Sequence, residues 1–391
     1  MNPIKTDINF SETQMGGYAE DLKNKYGVKN HRFLKAENGL RFKLNDKKNT
    51  KKHNNLYYLN NGTYTLVFGI DYVDYVGSGI NPKNWNDMYN DKLILRVNTE
   101  SSIDLVDKYY KSDRILFGNN MIDIFMYGKF YNMDSFYYNF YTITREYSTD
   151  FSSLNFENKL KFTIDYFKVL EIADSHQIFY RDSKITNVGY DLTKDDCRCI
   201  IIDYDAKTFI KYDKIISLGH KYGTYPPFYM YYVTATIHPT DLSLKYPIFY
   251  NKFFVAGMIN ILDMLFIYPI INKDLIFLID KIYHLYKGYI YNPSSYSVNV
   301  IYIDILTKRT TYEKSIEKYI QKNNEIKISD ITLNNVEEKI KNFCIVIIIN
   351  IIKKSIRSNY NDVLTIAELT EKRKCLEFLL NLLIKINKIK N

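Results

Sequence analysis

Polar residues of complementary chemistry lie close together in the middle of the chain. Asp182, Lys184 and Asn187 fall within one short stretch, and Asp203 follows an apolar run of three isoleucines. A carboxylate can accept a proton, an ammonium group can neutralise an anion, and carboxylate and amide oxygens are ligands that Mg²⁺ prefers. The four residues could therefore serve chemistry that needs a base, a cation and a metal.

The residues around this stretch follow helix and strand patterns. Apolar residues at three- and four-residue steps predict a helix over Glu157–Ser175. Asn187–Tyr190 and Ile200–Asp203 have the composition of short strands. Asp182 thus follows a helix, and Asp203 ends a strand.

The first part of the chain is rich in strand signals and the second part in helix signals. Runs rich in Tyr, Val, Ile and Thr predict strands at Leu56–Leu59, Thr63–Tyr72, Lys92–Val97, Ile122–Tyr131 and Phe136–Glu146. Later apolar patterns predict helices at Phe253–Leu265 and Leu275–Leu285, and Lys-rich helices over 310–391. This order indicates an α+β fold in two lobes, with a ligand crevice near residues 144–152.

The stretch Tyr180–Asn187 and the strand end at Asp203 resemble the protein kinase superfamily. The catalytic loop of that family reads H-R-D-x-K-x-x-N, and its metal-binding strand ends in D-F-G. This chain keeps R-D-x-K-x-x-N with Tyr180 in place of the His, and it reads Asp203-Tyr204-Asp205 in place of D-F-G. The resemblance implies a divergent serine/threonine protein-kinase-like domain with a bilobal α+β fold, a β-rich N-lobe and a mainly helical C-lobe.

The resemblance covers roughly residues 56–290 and implies a division of the chain. We expect an N-terminal extension over 1–54, the N-lobe over 55–147 and the C-lobe over 148–300. Residues 301–391 would be extra C-terminal helices, either part of the C-lobe or appended to it.

The same resemblance implies ATP and Mg²⁺ as cofactors and an unidentified protein as the phosphate acceptor. Asp182 is implied to orient the acceptor hydroxyl and accept its proton, and Lys184 to neutralise the γ-phosphate. Asn187 and Asp203 are implied to ligate Mg²⁺. Phosphoryl transfer depends on positioning and charge neutralisation, so these roles require all four residues in one place.

Residues of the first half are similar to the ATP-binding motifs of the family. In Asn60–Phe68, Gly62 fits the second Gly of G-x-G-x-x-G-x-V, Tyr64 the aromatic residue at the loop tip, and Val67 the Val that packs on adenine. Asn60 and Thr65 replace the other two glycines, which predicts a poorer cradle for phosphates.

A cation follows on the next predicted strand. Arg96 stands where the family has the Lys of V-A-I-K, and it is implied to grip the α- and β-phosphates; Lys92 is the alternative if the register differs. Its acidic partner is expected at Asp104 or Asp107. Glu146, at the predicted junction of the lobes, is also implied to lie at the ATP site.

The acceptor side departs further from the family. Gly223–Pro227 resembles the Gly-Thr-Pro region of an activation segment, but no A-P-E string follows it. The predicted helix at Phe253–Leu265 keeps the family's Gly, Gly257, whereas Lys252 replaces the expected Asp. Two alternatives therefore stay open beside a protein kinase. Arg96 and the string Ile202–Asp205 favour a small-molecule kinase of the same fold, whereas Arg96, the replaced glycines and the missing A-P-E favour a kinase-like scaffold that is weakly active or inactive.

Composition limits the remaining function classes. The net charge of +9 comes from basic residues spread along the chain, and without a basic-aromatic motif we expect no nucleic-acid partner. The four cysteines do not make a disulfide framework. The apolar run Cys344–Ile352 is shorter than the ~20 residues of a membrane span. We expect a cytoplasmic protein, in the host cytoplasm if the AT-rich coding bias reflects a viral genome.

Overall fold

The computed structural model describes residues 33–35, 41–44, 55–61, 65–70, 93–98, 108–130, 140–180, 183–193, 196–204, 208–212, 254–267, 335–355 and 362–390. The chain divides into two compact units, Met1–Tyr147 and Ser148–Asn391.

Strands of the first unit form one sheet. Within the described residues it has seven strands: β1 (Phe33–Lys35), β2 (Arg41–Leu44), β3 (Asn55–Asn61), β4 (Thr65–Ile70), β5 (Leu93–Asn98), β6 (Ile124–Lys129) and β7 (Phe140–Arg145). Their spatial order is β1-β2-β3-β4-β5-β7-β6. β2 and β3 are parallel, and the other neighbours are antiparallel. The centre of the sheet carries the core, because Leu95, Val97, Tyr141 and Ile143 are at most 1% exposed.

A short helical segment, α1, lies before β6. A π-helical turn, Tyr109–Asp113, continues into an α-helix, Arg114–Phe117. Gly118 ends it with φ of +54°, a conformation that side chains with a Cβ rarely adopt. Hydroxyl groups of Tyr109 and Tyr110 donate to the carbonyl oxygens of Ile122 and Ile124, which ties α1 to the start of β6.

The second unit is organised around the helix α2 (Phe156–Ser175). Asn155 caps its start by accepting a hydrogen bond from Asn158 N at 2.8 Å. Phe162, Tyr166, Phe167 and Val169 are fully buried along its length. Gln177, with φ of +54°, turns the chain into the next strand.

Two pairs of short strands follow α2. β8 (Ile178–Tyr180) pairs with β11 (Phe209–Lys211), and β9 (Val188–Leu192) forms an antiparallel hairpin with β10 (Cys197–Ile201). Tyr180 lies opposite Phe209. The stretch that links β8 to β9 is the one that carries the candidate catalytic residues.

The remaining described elements are helices: α3 (Phe254–Leu262), which continues into a π-helical turn (Asp263–Ile267), α4 (Val336–Ser355) and α5 (Ile366–Lys390). α5 packs on α2, where Arg373 Nε lies 2.7 Å from Glu171 Oε1. α4 contacts both α3 and α5.

The mixed content of helices and strands predicted from the sequence is confirmed. The helix predicted over Glu157–Ser175 is α2, and the apolar run Cys344–Ile352 lies inside α4. The structure adds β1 and β2 within residues 1–54, where we expected an extension. The helix predicted at Leu275–Leu285 lies outside the described residues. Among the described helices, none combines the length and the apolar character that a membrane span needs.

Candidate active site

The β9–β10 hairpin brings the two candidate metal ligands together. Val188 pairs with Ile201 at its open end, so the residues just before β9 and just after β10 become neighbours. The carbonyl oxygen of Asn187 accepts hydrogen bonds from Ile202 N at 3.1 Å and from Asp203 N at 3.3 Å. Asn187 is buried and Asp203 is exposed. Two motif residues from separate stretches are thus held side by side through the backbone.

This pair has the donor chemistry of a magnesium site that is completed by a ligand. Mg²⁺ prefers oxygen and usually keeps several waters, binding through one or two carboxylates and substrate phosphates. One exposed carboxylate beside one amide fits that pattern. Within the part of the chain that the structure describes, no group of three or more His, Cys, Asp or Glu could hold a metal by itself. The side-chain types of Asn187 and Asp203 are therefore compatible with Mg²⁺ as a metal.

A 3₁₀ turn joins the candidate cation to the candidate metal ligand. The turn spans Ile185–Asn187, and Asn187 N donates to Lys184 O at 2.9 Å. Lys184 itself has an extended backbone. Arg181 and Asp182 lie outside the described residues. Ser183, which directly follows the candidate base Asp182, is the nearest described residue.

Ser183 is wedged between two helices. Its hydroxyl lies 2.6 Å from the hydroxyl of Tyr166 on α2, and both side chains are buried. A Cβ added to Gly257 on α3 would lie 2.5 Å from Ser183 Cβ and 2.7 Å from Ser183 Oγ, and closer still to the Ser183 carbonyl oxygen. The Gly that the sequence places in this helix therefore permits a close approach between α3 and the loop.

α2 also anchors the hairpin. Cys199 N donates to Asp165 Oδ2 at 2.9 Å, one residue before Tyr166. Burial raises the pKa of Cys197 to about 12 and raises the pKa of Cys199 well above its usual value. Both thiols thus remain protonated, and they serve as packing groups.

In the first unit, Val67 and Arg96 lie on one face of the sheet. Val67 is directly opposite Arg96, and Arg96 is directly opposite Thr142. Side chains of directly opposed residues point to the same side of a sheet. Gly62, Tyr64 and Lys92 lie outside the described residues.

α1 carries a buried carboxylate that sequence reasoning missed. Tyr109, Asp113 and Phe117 recur at four-residue steps, and each is at most 2% exposed. Lys108 Nζ lies 3.4 Å from Asp113 Oδ2. The four-residue spacing with two aromatic residues was the available signal. The predicted acids, Asp104 and Asp107, lie outside the described residues.

The segment around Glu146 is held by Asp123. Tyr147 donates its hydroxyl hydrogen bond to Asp123 Oδ2 at 2.7 Å, and Arg114 contacts Asp123 Oδ1 at 2.9 Å. Arg145 N donates to the carbonyl oxygen of Asp123 at 3.3 Å. Glu146 is half-buried. Among the described residues, none forms a hydrogen bond with its buried oxygen Oε2.

Comparisons with known proteins add only distant structural likenesses. No protein-family model and no curated protein sequence matches the chain. Among solved structures, the autoinhibited serine kinase domain of the giant muscle protein titin matches with a TM-score of 0.40 and 11% identity. The match covers 81% of this chain and 77% of that one. A score this low does not establish a shared fold, so the geometry of the site has to carry any functional conclusion.

Proposed function

We propose that the chain is an ATP- and Mg²⁺-dependent phosphotransferase of the protein kinase type, which transfers the γ-phosphate of ATP to a protein serine or threonine hydroxyl. The observation that supports this most is the contact between Asn187 and Asp203, whose backbones meet at 3.3 Å. These residues belong to two motifs that are separate in sequence, and phosphoryl transfer requires them at one metal.

The proposed roles on this side follow from the side-chain chemistry. Asn187 and Asp203 hold Mg²⁺, which supplies charge neutralisation on the phosphates of bound ATP. Lys184 is placed one turn from Asn187 and neutralises the transferred phosphate. Asp182 orients the acceptor hydroxyl and accepts its proton.

The proposed nucleotide side lies in the first unit. Val67 contacts the adenine, while Arg96, on the same face of the sheet, binds the α- and β-phosphates as a planar donor. Gly62, Tyr64 and Glu146 complete this site. Asp104 and Asp107 are the proposed acidic partners of Arg96, whereas Asp113, buried on the helix that follows β5, is paired with Lys108.

The test measures nucleotide binding and transfer separately. We expect ATP with Mg²⁺ to raise the melting temperature of the chain, and radiolabelled phosphate to pass from [γ-³²P]ATP to a protein acceptor. Asp203→Asn should lose the Mg²⁺-dependent part of the shift. Asp182→Asn should keep the shift and lose transfer. Asp196→Asn is the matched control, because Asp196 is an exposed aspartate of the same hairpin.

The outcomes separate the competing functions. A wild-type chain that ATP and Mg²⁺ do not stabilise contradicts the proposal as a whole. Stabilisation without transfer to any acceptor indicates a scaffold. Transfer to polyols or amino alcohols but not to proteins indicates a small-molecule kinase. Full transfer by Asp182→Asn removes that residue from the role of base.

A further inference from the structure

A buried hydrogen bond reaches the loop between its two candidate catalytic residues. Ser183 stands directly after Asp182 and directly before Lys184. Its hydroxyl and that of Tyr166 lie 2.6 Å apart, with exposures of 2% and 0%. Water cannot reach these hydroxyl groups to replace the bond, and leaving either hydroxyl buried without a partner costs free energy. The pair therefore holds the loop at one defined distance from α2.

The helix that supplies Tyr166 is itself fixed on several sides. Asp165 binds the β10 backbone at Cys199. Glu171, further along α2, is paired with Arg373 of α5, whose side chain is only 12% exposed. Burial also raises the pKa of Tyr166, so the phenol keeps its proton and the hydrogen bond persists across the neutral and mildly alkaline range. Tyr166 is thus a rigid reference point for the loop.

Close packing against α3 further restrains Ser183. The backbone of Gly257 comes so close that a Cβ there would overlap Ser183 Cβ at 2.5 Å. Ser183 is consequently restrained by a directional bond from α2 and by direct packing from α3. Lys184, the next described residue, inherits that restraint through one peptide bond.

We propose that Tyr166 is a positioning residue for phosphoryl transfer, which acts through Ser183 to fix the backbone that carries Asp182 and Lys184. The proposal rests on the function proposed above. Displacing reacting groups by about 1 Å can cost about a hundredfold in rate, so loss of this bond should lower kcat far more than it changes the affinity for ATP.

Three variants distinguish positioning from a merely structural role. Tyr166→Phe removes one oxygen and keeps the ring, Ser183→Ala removes the other oxygen, and the double variant leaves neither hydroxyl unpaired. If the bond only stabilises the fold, the double variant should recover stability and all three should keep the wild-type kcat. If it positions the loop, all three should lose kcat by about 10- to 100-fold, with the KM for ATP within about twofold.

The matched control is a second Tyr–Ser pair of the same unit. Tyr190 and Ser153 have their hydroxyl oxygens 2.9 Å apart, and neither residue belongs to the stretch 183–187. We expect Tyr190→Phe to lose some stability and to keep the wild-type kcat. An equal fall of kcat in Tyr190→Phe and Tyr166→Phe overturns the proposal, because a general loss of stability then explains both.

Hydrogen–deuterium exchange separates this proposal from the function on which it rests. In Tyr166→Phe, the amides of residues 183–187 should exchange about fivefold faster, the factor expected for the loss of one net hydrogen bond, while those of α5 stay unchanged. Unchanged exchange at 183–187 overturns the positioning role, whatever the activity. If the wild-type chain transfers no phosphate but residues 183–187 exchange faster in Tyr166→Phe, the proposed phosphotransferase function is refuted. The restraint of the loop by Tyr166 is then still supported. If Tyr166→Phe does not fold, Ser183→Ala gives the same readings.

Discussion

Replacing Gly257 by Ala tests whether α3 supports the loop. In an ordinary helix this change stabilises a protein by about 1 kcal/mol, because Ala has the higher helix propensity. Here the added Cβ would lie 2.5 Å from Ser183 Cβ. Carbon atoms prefer separations of about 3.5–4.0 Å. The loop or the helix must therefore move by about 1 Å.

Two consequences follow from a shift of this size. Overpacking a core costs typically about 1–3 kcal/mol, and the helix propensity of Ala offsets about 1 kcal/mol of this, so the net effect should be a destabilisation of up to about 2 kcal/mol. For a unit of the size of Ser148–Asn391, this corresponds to a melting temperature lower by up to about 8 °C. Because the shift changes how α3 packs on Ser183, phosphoryl transfer should decrease by about a hundredfold.

The assay is a thermal melt of the purified variant beside a transfer measurement at saturating ATP. The predicted sign is opposite to the one that helix propensity alone would give, which makes the result decisive. A Gly257→Ala chain that melts at or above the wild-type temperature and transfers phosphate at the wild-type rate refutes the close approach of α3 to the loop.

Further predictions concern stability in the second unit. Gln177→Gly should raise the free energy of unfolding by about 1 kcal/mol in thermal or urea melts, because Gln177 has φ of +54° and only glycine adopts that region without strain. Thr365→Ala should lower it by about 1 kcal/mol, since Thr365 and Glu368 cap the start of α5 through reciprocal hydrogen bonds of 2.9 and 3.3 Å. Burial alone would raise the pKa of Glu368, but hydrogen bonds from Lys354 and Thr365 outweigh it and hold the pKa below its ordinary value of 4.5. This stabilisation is complete above that value and is lost as the pH falls through the lower, folded value. The difference in melting temperature between wild type and Glu368→Gln should therefore disappear in acid; a difference that is constant with pH would contradict the assignment.

Elements with a long, one-sided apolar pattern could be predicted from the sequence. α2 was predicted within one residue at its start, because twenty residues of helical periodicity leave no competing interpretation. The strands β8 and β11 were not identified. Each has three residues, too few for a period to appear, and each is stabilised by pairing with the other. Such pairing depends on distant partners that local sequence does not reveal.

Some residues of the candidate site could likewise be proposed from the sequence, and others could not. The motif residues could be proposed from the sequence, because the chemistry of phosphoryl transfer would fix their types and order. Tyr166 could not, since a tyrosine within an apolar stripe reads as a core residue, and its partner Ser183 is distant in sequence. Asp113 was missed for the opposite reason: next to Ser112 and Arg114 it resembles part of a solvated face, and only its burial distinguishes it.

The hairpin explains why two distant motif segments can be recognised as one site. β9 and β10 have five residues each and pair without a bulge, from Val188 opposite Ile201 to Leu192 opposite Cys197. A shift of one residue in this register would turn every side chain of one strand to the other face. The contact between Asn187 and Asp203 depends on this register, because Val188 opposite Ile201 leaves the two residues just beyond the open end of the hairpin. Variation in the turn between the strands leaves the pair intact, so the spacing of the motifs can vary in sequence, whereas the register of the hairpin cannot.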